Sequence, residues 1–259
     1  MVDDAKMPFL AHLAELRQRL IIALSVTGLA FILAFNFRDT FLRLLLWPLT
    51  TDVVMGRHFP FVSFAHKPPI AKLTALAPAE TLWVHFKVAF IVGLVFALPV
   101  VLYQLWKFVE PGLLPKERRF ALPFVVLSSL SFFVGMTFCF MFVLPLAMNF
   151  LLTFDPNIQQ MPRFGEYIDF VLKFLLAFGA IFELPLAMTI AARLGIVTPQ
   201  FLAKNRKYAI LVNFIVAAIL TPTPDVFNQC LMALPMCLLY EVGIVASRLI
   251  VRRPAAAKP

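Results

Sequence analysis

Val88 to Trp106 reads VAFIVGLVFALPVVLYQLW, nineteen residues without a charge. As a helix rising about 1.5 Å per residue, the run covers about 28 Å, close to the roughly 30 Å hydrocarbon layer of a bilayer. Comparable apolar runs occupy residues 20–37, 120–152, 174–192, 208–220 and 230–251, so six spans are predicted. Composition agrees: 61% of the 259 residues are hydrophobic and 14% charged, against roughly half and a quarter in an average soluble domain. Mean hydropathy is +0.89. The fold class read from this is an all-α membrane protein, with one membrane domain over residues 1–251 and a basic tail, 252–259, predicted to be disordered.

The first run follows a polar stretch, and no small-residue cleavage site comes after it, so it reads as a retained span rather than a signal peptide. An even number of spans puts both ends of the chain on one side. Of the 23 Lys and Arg, fifteen fall on the terminal side, six in the opposite loops, and Lys87 and Lys173 at span edges. Basic loops stay in the cytoplasm, so both termini are predicted cytoplasmic. The same rule accounts for the net charge of +9 without a nucleic-acid partner. The outer connection 38–87 contains Pro48, Pro60, Pro68, Pro69 and Pro78, and reads as a cap of short helices and turns. Prolines inside spans, Pro99, Pro123, Pro145, Pro185 and Pro235, predict kinked helices and a concave bundle. The run 120–152 is longer than a bilayer needs and is expected to tilt, bend near Pro145 or protrude; 208–220 is short, about 20 Å as a helix.

Catalytic signatures are absent: there is no phosphate loop, zinc-binding histidine pair or nucleophile elbow. His12, His58, His66 and His85 have no metal-ligand spacing, and Cys139, Cys230 and Cys237 lie in apolar runs, so no metal, cofactor or disulfide framework is expected. What remains is a set of carboxylates in or beside the apolar layer, where an ionised group is costly and usually functional. Glu183, inside the fourth span, either caps backbone groups freed by Pro185 or binds a polar or cationic partner. Glu241 either reaches toward the interface or pairs with Arg248. In the stretch His12 to Leu20, Leu13, Leu16 and Leu20 share one helical face, giving an interfacial lead-in to span one. Glu15 then lies at the membrane surface and is four residues from Arg19, a pair worth about 0.3–0.5 kcal/mol. The loop from Glu110 to Arg119 adds Glu110 and Glu117 at the same depth. Two acids on an otherwise basic surface suit two guanidinium groups, each held by charge-assisted bidentate bonds. A secondary transporter or channel built around Glu183 is the competing reading; its usual sign, paired interrupted helices in two related halves, is missing.

The residue strings narrow the choice. His12-Leu13 with Glu15-Leu16-Arg17 and Arg19-Leu20 comes first, then Tyr103-Gln104 with Trp106, and Pro111-Gly112-Leu113 with Glu117-Arg118-Arg119. Phe182-Glu183-Leu184-Pro185 and Leu220-Thr221-Pro222-Thr223-Pro224-Asp225-Val226-Phe227 with Gln229 follow in order. Together, from about Pro8 to Arg248, they resemble the TatC family, the multi-span subunit of the twin-arginine protein translocase.

The resemblance implies a six-helix, glove-shaped bundle in the bacterial inner membrane with cytoplasmic termini. It implies a non-enzymatic receptor for twin-arginine signal peptides of folded precursors, working with TatA and TatB single-span partners in a multi-copy complex and drawing on the proton-motive force. By matching position, Glu15 and Glu117 correspond to the acids that receive the signal arginines, with Arg17 and Phe108 shaping that surface. Glu183 corresponds to a polar residue on the concave face, and Pro48 to an outer-cap position. Thr221 and Gln229, with Asp225 between them, correspond to a docking site for partner helices. Glu110 departs from the family pattern, and either adds charge to the arginine site or pairs with Lys107.

Overall fold

The computed structural model describes residues 9–55, 62–66, 73–109, 121–155, 157, 161–221, 223 and 225–250. The chain divides into two compact units: Met1–Leu44 with Pro78–Leu130, and Leu45–Ala77 with Ser131–Pro259. The tail 252–259 and the loop carrying Glu110 and Glu117 lie outside the described residues.

In the first unit, helix α1 runs Phe9–Asn36. It extends upstream of the apolar run because the surface stretch is itself made of strong helix formers, Leu, Ala, Glu, Arg and Gln. Helix α2 follows at Arg38–Leu45. Helix α3, Pro78–Val109, begins ten residues before the apolar run and takes the end of the expected cap. Pro78 and Glu80 supply a proline and a negative charge in its first turn. Helices α1 and α3 meet closely at Gly93, where a Cβ would stand 2.6 Å from the Phe31 backbone nitrogen. Without a hydrophobic drive between helices in lipid, such small-residue contacts let backbones approach and gain dispersion. Phe31, Phe35, Phe86 and Phe90 pack around the contact, the Phe35 and Phe86 rings 5.2 Å apart.

The second unit begins with a short 3₁₀ turn, Trp47–Leu49, and an antiparallel hairpin, β1 Thr51–Met55 with β2 Val62–His66, Thr51 opposite His66 and Met55 opposite Val62. The hairpin corrects the expectation of helices and turns alone in the cap. Val53, Val54, Val62 and Phe64 are strand formers, a signal outweighed in the reading by the surrounding prolines.

Helix α4, Ala121–Phe138, passes through a wide π turn at Cys139–Val143 into α5, Leu144–Thr153. The π turn opens the hydrogen-bond ladder just before Pro145, a residue that cannot donate to it. Helix α6, Phe164–Phe182, starts ten residues before the expected boundary at 174. Asp169 and Lys173 interrupt the hydropathy run without interrupting the helix, because Lys173 is exposed while Phe170, Val171, Leu172 and Phe174 are buried. Two glycines seat α4 against α6: a Cβ on Gly135 would stand 2.6 Å from the Phe178 carbonyl oxygen, and one on Gly179 would stand 2.5 Å from the Phe132 ring.

Helix α7, Leu184–Arg193, leads to α8, Pro199–Lys204, whose first turn is capped by Thr198 accepting from the Phe201 N–H at 3.1 Å. Helix α9, Arg206–Leu220, and α10, Val226–Ile250, complete the chain. Among the described residues five helical stretches are long and apolar enough to cross a membrane: Leu13–Asn36, Pro78–Phe108, Leu122–Thr153, Phe164–Arg193 and Val226–Ile250. The 15-residue α9 falls short of that length, as its short apolar run foretold.

Candidate functional site

Glu15 and Arg19 stand one turn apart on α1, and Gln104 reaches them from α3. Arg19 Nη2 donates to Glu15 Oε1 at 3.1 Å, and Nη1 donates to Gln104 Oε1 at 3.3 Å. The Glu15 side chain is 19% exposed and the Arg19 side chain 30%. The pair with Arg19 therefore forms, but it occupies one carboxylate oxygen. Glu15 Oε2 and Arg19 Nε are shut away from solvent without a hydrogen-bond partner among the described residues, as is the Trp106 indole N–H. Buried polar atoms are normally satisfied, so two of them on one ion pair mark a place arranged to accept something more.

The surroundings are aromatic. Trp106 packs on Phe124 with centroids 4.5 Å apart, and Lys107 Nζ lies 5.9 Å from the centre of the Tyr103 ring. Phe108 is half-buried at the end of α3, and Arg17 is exposed. Glu117 and Glu110 are outside the described residues, so the structure brings together Glu15 with Arg19 and Gln104, a partnership the residue string Tyr103-Gln104 with Trp106 flagged without explaining.

Glu183 sits at the break between α6 and α7. Its backbone N–H donates to the Ala180 carbonyl at 3.1 Å and its carbonyl accepts from Ala187 at 2.9 Å. Its side chain caps neither helix; instead the Ser131 hydroxyl donates to the Phe182 carbonyl at 2.7 Å. The Glu183 carboxyl is left half-buried, with Oε1 shut away from solvent.

The turn between α9 and α10 carries a hydrogen-bond network that leaves the buried Asn228 Oδ1 without a partner among the described residues. Asp225 Oδ1 accepts from the Asn228 backbone N–H at 2.7 Å and Oδ2 from the Asn228 amide at 2.9 Å, while that amide also donates to Thr223 Oγ1 at 3.2 Å. Burial pushes the Asp225 carboxyl up, but bonds from the Asn228 backbone, Thr223 and the Asn228 side chain together hold it below its ordinary value. Gln229 Nε2 donates across to the Phe214 carbonyl at 3.2 Å, and Thr221, itself buried, turns its hydroxyl back to Ala217 at 2.7 Å. Phe227 stacks on Phe150 at 4.1 Å, tying the turn to α5. Asn228, fully buried, is the residue sequence reasoning missed. The helix-cap spacing Asp225-x-x-Asn228 was the available signal.

Pro48 is buried in its 3₁₀ turn. Next to it, the Tyr167 hydroxyl donates to the Leu45 carbonyl at 2.7 Å, an anchor between the cap and α6. Glu241 does not pair with Arg248. Arg206 Nε and Nη2 grip its carboxylate at 2.6 and 2.9 Å, a bidentate link from α9 to α10 that chain distance concealed. The carboxylate in turn raises the already high Arg206 pKa through that hydrogen bond and its charge.

Comparison with known proteins bears on the assignment. The family model described as Sec-independent protein translocase protein (TatC) matches residues 11–235. The Sec-independent protein translocase protein TatC of Desulforapulum autotrophicum is 41% identical over 247 residues, covering 95% of this chain and 86% of that protein. That of Carboxydothermus hydrogenoformans is 40% identical over 250 residues, covering 96% of each. A crystal structure of the twin-arginine translocase receptor TatC superposes with a TM-score of 0.76 at 36% identity, covering 93% of this chain and all of the other. These relatives are translocase components rather than enzymes. With matches of that identity along nearly its whole length, and with several helices able to cross a bilayer, the chain is a membrane protein and belongs to the TatC family.

Proposed function

We propose that this chain is the receptor subunit of a twin-arginine translocase in a bacterial inner membrane. In this reading it crosses the bilayer six times as a concave, glove-shaped bundle, with α9 as the short fifth span and both termini in the cytoplasm. Glu15 and Glu117 take the paired arginines of a signal peptide, with Arg17 and Phe108 shaping the surface around them. Glu183 supplies a polar point on the concave side. Thr221, Asp225 and Gln229 form the outer end of a docking face for TatA and TatB type single-span subunits. Several copies associate into one receptor complex, and the proton-motive force drives export of the folded precursor.

The observation that carries this reading is the state of Glu15. Its Oε1 is held by Arg19, Arg19 is held by Gln104, and Oε2 is left as a desolvated acceptor without a hydrogen-bond partner among the described residues. A guanidinium is the side chain that best uses such an oxygen, being planar, always charged and weakly hydrated. Two guanidinium–carboxylate contacts at a partly screened surface give about 2–4 kcal/mol, enough for recognition that remains reversible. The test is site-specific crosslinking of a twin-arginine peptide to the full chain in membranes. Glu15→Ala combined with Glu117→Ala is expected to weaken the crosslink while the spans stay inserted, and an unchanged crosslink overturns the assignment.

A further inference from the structure

Residues of α7, α8, α9 and α10 line an open groove of about 510 Å³ within the second unit. Leu184 and Met188 line it from α7; Tyr208 and Val212, one turn apart on α9, and Asn213 line it from α9. Three polar side chains of its lining are engaged within the protein. The Tyr240 hydroxyl donates to the Leu202 carbonyl at 2.9 Å, the Asn205 amide to the Phe201 carbonyl at 3.0 Å, and the Asn213 amide to Cys237 Sγ at 3.6 Å. What the groove offers is therefore hydrocarbon, in a volume within the roughly 300–1,000 Å³ of ordinary ligand sites.

Its α8 end is strongly cationic. From Leu184 to Pro224 the chain contains no Asp or Glu, while Arg193, Lys204, Arg206 and Lys207 all fall in that stretch. Arg206 is neutralised by Glu241. Lys207 Nζ lies 5.0 Å from the centre of the Tyr208 ring, which lines the groove, and Lys204, the last residue of α8, immediately precedes Asn205, another lining residue. An apolar trough ending beneath two lysines has the two-part chemistry of an anionic phospholipid: an acyl chain along α9 and a phosphate at the basic rim. We infer that this groove is a binding site for one anionic phospholipid, which seats an acyl chain between α7 and α9 and its headgroup on Lys204 and Lys207.

The test uses the full chain in lipid nanodiscs containing a trace of phosphatidylglycerol or phosphatidylcholine with a photoactivatable acyl chain, and the labelled residues are mapped by mass spectrometry. Phosphatidylglycerol is expected to label the 184–188 and 201–213 stretches at least about fivefold more than phosphatidylcholine, the preference that one lysine supplies near a membrane surface. Lys204→Gln with Lys207→Gln is expected to remove the preference. Val212→Trp, which fills the groove from an exposed position, is expected to reduce the labelling, whereas Leu211→Trp, equally exposed but outside the lining, leaves it unchanged. Equal labelling by the two lipids, or equal effects of the two tryptophans, overturns the proposal. So does labelling that disappears when single-span partner subunits are added, because the occupant is then a protein helix. None of these readouts involves a signal peptide, so the proposal and the receptor assignment fail separately.

Discussion

Replacing Glu15 by Gln keeps the size of the side chain and the hydrogen bond from Arg19, and removes the charge. The structure separates the cost to the fold from the cost to binding. Within the fold the substitution loses an i,i+4 ion pair on a partly exposed face, about 0.3–0.5 kcal/mol, and Arg19 keeps its second anchor at Gln104. For an incoming guanidinium it removes a charge-assisted bond to Oε2. That oxygen is already desolvated and without a hydrogen-bond partner among the described residues, so little is spent on stripping water from it. A hydrogen bond to a charged group of this kind is worth about 1.5–3 kcal/mol, and the lower end, reached after screening, corresponds to about a tenfold weaker complex. The assay is fluorescence anisotropy of a labelled twin-arginine peptide against the full chain in nanodiscs, with a twin-lysine peptide as reference. Glu15→Gln is expected to lower twin-arginine affinity about tenfold and to narrow the gap between the two peptides, since the fork that distinguishes arginine from lysine has lost its carboxylate. If the variant binds the twin-arginine peptide as tightly as the native chain and still discriminates against lysine, Glu15 does not read the doublet.

Gly93→Ala is expected to lower the thermal midpoint in detergent, because the new methyl meets the Phe31 backbone rather than a side chain that can swing away; overpacking of this kind costs about 1–3 kcal/mol. Gly28→Ala, with open space around the added carbon, is the matched control and is expected to be neutral or stabilising. The Asp225 carboxyl titrates below its unperturbed 3.8, so its contribution to stability is complete above that value and lost as pH falls toward the depressed folded value; Asp225→Asn is expected to flatten this acid limb in a pH series of thermal midpoints. Inserting one apolar turn into the 15-residue α9 between Tyr208 and Leu220 lengthens it by about 5.4 Å, and is expected to impair export of a folded substrate without blocking insertion. Unimpaired export would show that bilayer thinning beside this helix plays no part.

Much of the molecule was legible in the amino-acid order. Long uncharged runs dictate helices because a bilayer leaves backbone groups no other partner, so span positions and the shortness of α9 followed from counting. Boundaries were less legible for a specific reason: Asp169 and Lys173 break a hydropathy run, and a helix needs only hydrogen bonds and one buried face to continue through them. The cap hairpin was hidden by prolines around a short stretch of strand formers.

The candidate acids were picked by type and by their place beside the apolar layer, and most of their partners were not legible. Glu15 was paired correctly with Arg19 because that contact is local on one helix. The Gln104 anchor, the bidentate grip of Arg206 on Glu241, the bond from Ser131 to the Phe182 carbonyl and the network around Asn228 all join residues from different helices or different sides of a turn. Hydrophobic pattern determines that this chain lies in a membrane and which of its helices are long and apolar enough to cross it. Which oxygen of a carboxylate stays open is decided only when helices pack, because glycines such as Gly93 and Gly179 set the approach of neighbouring helices and the approach decides which polar groups find each other.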